Sequence, residues 1–575
     1  MFNGARPHSI TRRAMLSRTA TVAGGASVGA LMPTIAEGGE AIASQPSPAD
    51  SCRTLIVASD SKAVVETASG KVRGYIQDGT HIFKGIPYGA PTAGSSRFMP
   101  PAGVSPWTGI RSSMQYGPVC PQPQWHNWSN DEVAYLFDWN DGQPGEDCLR
   151  LNIWTPAVSD GTKRPVMVWL HGGDFTAGSG HEERFYDGAN LAERGGVVVV
   201  TLNHRLNCLG YLNLAEFGER YASSGNVGML DLILALAWVR DNITAFGGDP
   251  ANVTIFGYSG GGSKVNVLMT MPLAQGLFHR AAVQSADLGR TTVTDALRHL
   301  TVDDSLKLTA AVVAELGLSR SRIDEIQSLP YERLWGAAGA AQRILALGGF
   351  RPPHGGWGPV VDGSTLPHNP FDPVAPAISA HIPMLIGTTL NEIGENSLVS
   401  AQAELLTEEE LRTRSADRFG PRSPQILEVA RRIYPTAKPI ELLGLTMRST
   451  RAVPIAQAER KAAQNAAPAY MYLFSWRTPV LDGRPRAFHG SELPFVFYNT
   501  DRCARLTGGT DEARDLAARV SDAWINFARS GNPNHSGLPR WPVFAADQGP
   551  VMVFDKECEV QNDPDRELRR LLAAQ

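Results

Sequence analysis

The chain has 575 residues, 43% of them apolar and 19% charged, with a formal net charge of −4. That length holds one large α/β domain or several smaller ones, and the composition is that of an ordinary globular chain. A mildly acidic chain without basic runs argues against nucleic acid as a partner, and past the N-terminus no apolar run reads as a membrane span.

Residues 1–43 read as an export signal that is not part of the fold. Thr11-Arg12-Arg13-Ala14-Met15-Leu16 resembles a twin-arginine motif, a weakly hydrophobic stretch follows up to Met32, and Ala41-Ile42-Ala43 offers small residues for cleavage after Ala43. Such a signal implies a bacterial protein delivered folded to the periplasm or secreted. Residues 44–63 then read as a Pro/Ser-rich linker, and 64–575 as a single domain. From Val64 short alternating segments with glycine turns predict an antiparallel opening to a sheet. Arg164–Phe175 reads as a buried strand that stops at His171-Gly172-Gly173. Val197–Leu202 is another buried strand, and Leu230–Val239 a helix. Strand and helix patterns in alternation predict an α/β fold with a mostly parallel, doubly wound sheet. Ligands then bind beyond the carboxyl ends of the strands, where the His-Gly-Gly turn lies.

The most informative stretch is Phe246–Gly262, FGGDPANVTIFGYSGGG. A short strand, Val253–Phe256, runs into Gly257-Tyr258-Ser259-Gly260-Gly261, a match to G-x-S-x-G, and the apolar run Val265–Met269 follows at helical pitch. The pattern needs glycine on both sides because the strand turns sharply into a helix around an exposed, strained serine. Acyl transfer by such a serine requires a base, an acid that orients the base, and amide donors for the oxyanion. Seven histidines follow Ser259: His279, His299, His354, His368, His381, His489 and His535. His489 stands out, in the loop Phe488–Pro494 after the strand-like Ala469–Ser475. For the acid, Glu392 lies just past the buried-looking strand Ile382–Gly387, with Glu395 a local competitor, and spacing alone does not choose between them.

Taken together, the motifs resemble the type B carboxylesterases, the cholinesterase-like branch of the α/β-hydrolases. The resemblance is carried by FGGDPANVTIFGYSGG and GEDCLRLNIW (Gly145–Trp154). FKGIPYGAP, GNVGMLDLILALAWVRDNI, GPVVDG, IPMLIGTTLNE, FHGSELPFVF and FARSGNPN continue it, in the family's order from about Val64 to Phe554. It implies an α/β-hydrolase fold with Ser259 as nucleophile, Glu392 as acid and His489 as base. It places the oxyanion donors on the backbone N–H groups of Gly172, Gly173 and Gly260. It also matches Cys120 and Cys148 to the family's first disulfide, which closes a loop of about 29 residues and by chain entropy contributes about 3–4 kcal/mol. The implied activity is hydrolysis of carboxylic esters through an acyl-enzyme, on small-molecule substrates and with no cofactor or metal. Related acyl bonds (carbamate, amide, thioester) use the same machinery, and some family members have lost the serine and act in adhesion.

Two positions depart from the family. It usually has glutamate before the nucleophile and alanine after it, where this chain has Tyr258 and Gly260. Tyr258 removes a buried charge, and Gly260 keeps the amide and is expected to open space beside it. Substrate preference is expected to lie in Trp125–Asp141 and Arg343–Trp357, whose aromatics (Trp125, Trp128, Tyr135, Phe137, Trp139, Phe350 and Trp357) either line the pocket or pack the loops. Cys208, in an apolar stretch, is expected to be a buried free thiol.

Overall fold

In the computed structural model the described residues are 55–122, 132–137, 139–140, 142–288, 292–392, 400–447 and 451–573. The expected signal at 1–43, the linker up to residue 54, Cys52, Trp125, Trp128 and Glu395 lie outside them.

The main sheet has 12 strands. In chain order they are β1 (Ile56–Val57), β2 (Tyr75–Gln77), β3 (Thr80–Pro87), β4 (Arg150–Thr155), β5 (Arg164–Leu170) and β6 (Val198–Leu202). After these come β7 (Gly248–Tyr258), β8 (Arg280–Gln284), β9 (Met384–Thr389), β10 (Ala469–Phe474), β11 (Pro550–Phe554) and β12 (Glu559–Asn562). Their order in space is β1-β2-β3-β4-β6-β5-β7-β8-β9-β10-β11-β12. Pairing is parallel from β6 through β11 and antiparallel at both margins. The central strands are continuous apolar runs. All five residues of Val198–Leu202 and all six of Met384–Thr389 are buried, as helices on both faces require.

Two details differ from the sequence reading. The hairpin Val64–Thr67 and Gly70–Arg73 leaves the main sheet and forms a three-stranded sheet with Ile110–Ser112. The end of the expected linker is also structured, since Ile56 and Val57 pair with Gln77 and Ile76 at the sheet edge.

Three helices position the site. Helix α1 (Val227–Asn242) buries the broad face that carries Met229, Leu232, Leu236 and Val239, while Leu230, Ile233, Leu234 and Ala237 on the opposite face are half-buried against the core. Its surrounding helical run, Glu219–Phe246, is long and apolar enough by length and composition to cross a bilayer, which the sequence reading did not anticipate. In the fold 67% of its apolar window is buried. Helix α2 (Gly260–Leu268) begins directly after Ser259 and is buried throughout. Helix α3 (Asp511–Ser530) is capped by the Thr510 side chain, which accepts from the Ala513 N–H, and ends at Gly531 in the left-handed conformation. A parallel sheet with antiparallel margins and a serine turn at the end of β7 is the α/β-hydrolase arrangement.

Candidate active site

Ser259 sits between β7 and α2 at φ +55°, ψ −126°, a conformation that costs energy for a residue with a side chain. Its N–H donates to Gln284 O at 2.8 Å, and its own carbonyl accepts from Ser263 N–H at 3.1 Å. The flanking glycines are required by contact. A Cβ at Gly257 would stand 2.5 Å from the Gly261 backbone, and one at Gly261 would collide with Leu170 O at the end of β5.

His489 and Glu392 meet across two loops. Glu392 follows β9, with only 1% of its side chain exposed. Its Oε1 accepts from the Thr389 N–H at 2.7 Å and the Ser285 hydroxyl at 2.6 Å, and Oε2 bonds His489 Nδ1 at 2.5 Å. Burial alone would lower the basicity of His489. The charge and hydrogen bond of Glu392, with the charge of Glu492, outweigh it and hold the imidazole pKa above its ordinary 6.5. Ser259 and His489 line one cavity of about 360 Å³ beyond the ends of β5 and β7. Of the seven histidines that follow Ser259, only His489 lines it. His354 pairs instead with Asp174 through Nδ1 at 2.8 Å, and His279 Nδ1 accepts from Val253 N–H at 3.1 Å.

Gly172 and Gly173 also line the cavity. Gly173 takes φ +78° at the turn, and the Tyr186 hydroxyl donates to Glu182 Oε1 at 3.3 Å on the same cavity wall. Gly260 does not open space. Its hypothetical Cβ would collide with the backbone of Asp174, so that the Asp174 amide nitrogen lies against Gly260. The glycine therefore admits the neighbouring loop, and Asp174 joins the site. The sequence signal for this was the Asp that directly follows His-Gly-Gly.

Tyr258 fills the place of the family's glutamate with a ring wedged between two loops. A Cβ at Gly172 would stand 3.1 Å from the ring, one at Gly490 would stand 2.9 Å from the hydroxyl, and the His489 ring centroid is 4.6 Å away. A buried carboxyl is still present nearby. Glu492, pushed up to about 7 by burial and then by the charge of Glu392, sits three residues after His489. The cavity wall is aromatic: Phe137 and Trp139 line it as the sequence allowed, together with Phe185, Tyr186 and Tyr258. Trp357 is buried in the core instead, and Tyr135 is about half exposed.

Cys120 and Cys148 are both buried free thiols where the resemblance implied a disulfide; Cys120 Sγ donates to Pro121 O at 3.7 Å and accepts from Leu206 N–H at 3.2 Å, and its nearness and burial raise the Cys148 thiol pKa. Cys208 is a buried free thiol as expected, with burial pushing it up to about 12.

Fold and site together define a hydrolase of the α/β class. Residues 61–570 match the model of the carboxylesterase family, and the chain belongs to that family. It is 35% identical over 526 residues to a para-nitrobenzyl esterase of Bacillus subtilis (strain 168), covering 88% of this chain and 98% of the relative. It is 33% identical over 512 residues to a phenmedipham hydrolase of Pseudarthrobacter oxydans, covering 87% and 97%. An esterase structure from Clostridium hathewayi, described as hydrolysing aliphatic aromatic polyesters, superposes with a TM-score of 0.79 at 38% identity over 89% of this chain and 98% of that one. The activity that follows is carboxylic ester hydrolysis.

Proposed function

We propose that the chain cleaves esters by double displacement through Ser259, with His489 as general base and Glu392 as its orienting acid. The observation that carries this reading is the 2.5 Å bond between Glu392 Oε2 and His489 Nδ1, made where His489 and Ser259 face the same cavity. His489 takes the Ser259 proton as Oγ attacks the ester carbonyl, and Glu392 stabilises the imidazolium. The oxyanion is held by the amides of Gly173 and Gly260. The Gly172 amide, on the same turn, is the third donor, and Asp174 stands beside Gly260. His489 returns the proton to the departing alcohol, and water repeats the route on the acyl-enzyme.

An aromatic-walled cavity of about 360 Å³ suits esters with an apolar or aromatic acyl or alcohol part. The names of the relatives point the same way, since one is a para-nitrobenzyl esterase and one structure is described as acting on aliphatic aromatic polyesters. The test is hydrolysis of a short-to-long series of p-nitrophenyl esters by the wild type beside Ser259→Ala. Turnover confined to the wild type is expected. Equal turnover by the variant would remove Ser259 from the mechanism.

We further propose that residues 1–43 direct twin-arginine export to the periplasm or beyond, and that there Cys120 and Cys148 are joined by exchange with an oxidising disulfide, which takes up their two protons and two electrons and leaves as a dithiol. Their proximity as thiols supports the pairing. Replacing Arg12 and Arg13 by lysine is expected to hold the protein in the cytoplasm of a bacterial host. In exported material, peptide mapping without reductant is expected to recover the two cysteines joined, and two free thiols there would end the pairing.

A further inference from the structure

Lys264 lies on α2, five residues after Ser259, and none of it reaches solvent. Its Nζ donates to the carbonyl oxygen of His171 at 3.0 Å, and the ammonium stands 5.9 Å from the centre of the Phe175 ring. A charged lysine does not enter an apolar interior without a compensating interaction. Here the compensation is directed at one loop. His171 O belongs to the peptide whose N–H is that of Gly172, and Gly173 and Asp174 are the next two residues. A cation on that carbonyl polarises the peptide and strengthens its N–H as a donor.

The other buried cation nearby, Arg205, is paired with Asp231, which leaves Lys264 as the positive charge directed at the His171 carbonyl. His171 and His204 stack with ring centres 5.1 Å apart. Both are pushed well below the ordinary histidine pKa, by burial first and by the charge of Lys264 second, so both are neutral. Burial pushes Lys264 itself down to about 7, opposed by the carboxylates of Asp174 and Glu182, so these two acids hold the ammonium form, which is lost as pH rises through about 7. Asp174 is the residue whose amide lies against Gly260, and it lines the same cavity as Ser259.

We propose that Lys264 is a positioning residue of the oxyanion hole: its ammonium holds the His171–Asp174 turn against the helix that starts at Ser259 and sets a buried positive charge behind the amides that receive the oxyanion. This rests on the acyl-transfer reading of Ser259 given above. The tie is local to the reaction. The nucleophile and the amide of Gly260 sit at the start of α2, the remaining amides sit on the turn after β5, and Lys264 is the side chain that joins the two. Its contribution grows as negative charge develops on the carbonyl oxygen, so it acts on the transition state more than on substrate binding.

The experiment compares wild type, Lys264→Met and Lys264→Gln, each titrated with a fluorophosphonate to count folded, reactive sites. For p-nitrophenyl butyrate, kcat per titrated site is expected to fall about tenfold to a hundredfold in Lys264→Met, with KM within about twofold. Lys264→Gln keeps a donor for His171 O but no charge, and is expected to fall between the two. It carries the test should the methionine variant not fold. An aryl trifluoromethyl ketone, which adds Ser259 Oγ and forms a tetrahedral oxyanion, is expected to bind more weakly in proportion to kcat. Unchanged kcat and ketone affinity per site, or a loss seen only in KM, would overturn the proposal. Turnover surviving in Ser259→Ala would overturn the reading of the nucleophile itself, a separate outcome.

Discussion

His489 works between two opposed influences, and their balance sets how the site responds to acid. Burial drives the imidazole toward its neutral form, while Glu392 and Glu492 draw it toward the charged one and prevail. A general base must be neutral to accept a proton, so with His489 in the proposed role activity is expected to fall as pH drops through a pKa that lies above 6.5. The acid limb of kcat/KM is therefore expected above that value. In Glu392→Gln the charge that raises the pKa is gone, so the limb should move to lower pH while kcat falls by about 10⁴. A limb that stays in place would show that another group titrates. Gly260 offers a second test at this scale. Restoring the family's alanine places a methyl against the Asp174 backbone. Gly260→Ala is expected to cost about 1–3 kcal/mol of stability in a urea melt and to depress kcat, because the loop that carries the amides must shift. A variant as stable and as active as wild type would mean that the loop yields freely.

At the scale of elements, the site depends on how loops between strands and helices are anchored. Arg205, in the loop after β6, illustrates it. Its side chain is 2% exposed and its partner Asp231 on α1 is fully buried. The Arg205 main-chain N–H, Nε and Nη2 all donate to the Asp231 carboxylate at 2.7–2.9 Å, and Nη1 donates to Met99 O. Removing one partner leaves an uncompensated buried charge, so Asp231→Ala is expected to lose about 3–5 kcal/mol in denaturant unfolding. A loss under about 1 kcal/mol would show that the loop repacks around the arginine. The strand–serine–helix element itself was legible in the sequence, because G-x-S-x-G has a local cause: Gly257 and Gly261 face each other and β5 across a turn a few residues long. The role of Gly260 was not legible. What fills the space beside it is Asp174, some eighty residues earlier in the chain, and a sequence gives no distance between them. For the same reason Phe185 and Tyr186 joined the cavity wall, and Glu492 the charges acting on His489, only in three dimensions, and the hairpin at Val64–Arg73 could not be assigned to its separate sheet.

Across the whole molecule, the sheet acts as a frame that delivers residues far apart in the chain to one edge. The serine turn follows β7, the glycine turn follows β5, Glu392 follows β9, and the His489 loop comes after β10. That alternation was readable from the apolar runs, because parallel strands buried on both faces have little polar interruption. The cavity lining was readable only in outline. Phe137 and Trp139 reach the cavity whereas Trp357 packs the core, a division that turns on loop conformation and not on residue type. In the proposed mechanism Ser259 carries the acyl group. The most direct measurement is peptide mass spectrometry of the protein after reaction with a fluorophosphonate, beside Ser259→Ala. One adduct is predicted, on Ser259, with loss of esterase activity in proportion to labelling and no adduct on the variant. An adduct on a different residue, or a labelled enzyme that retains full turnover, would mean that Ser259 is not the nucleophile.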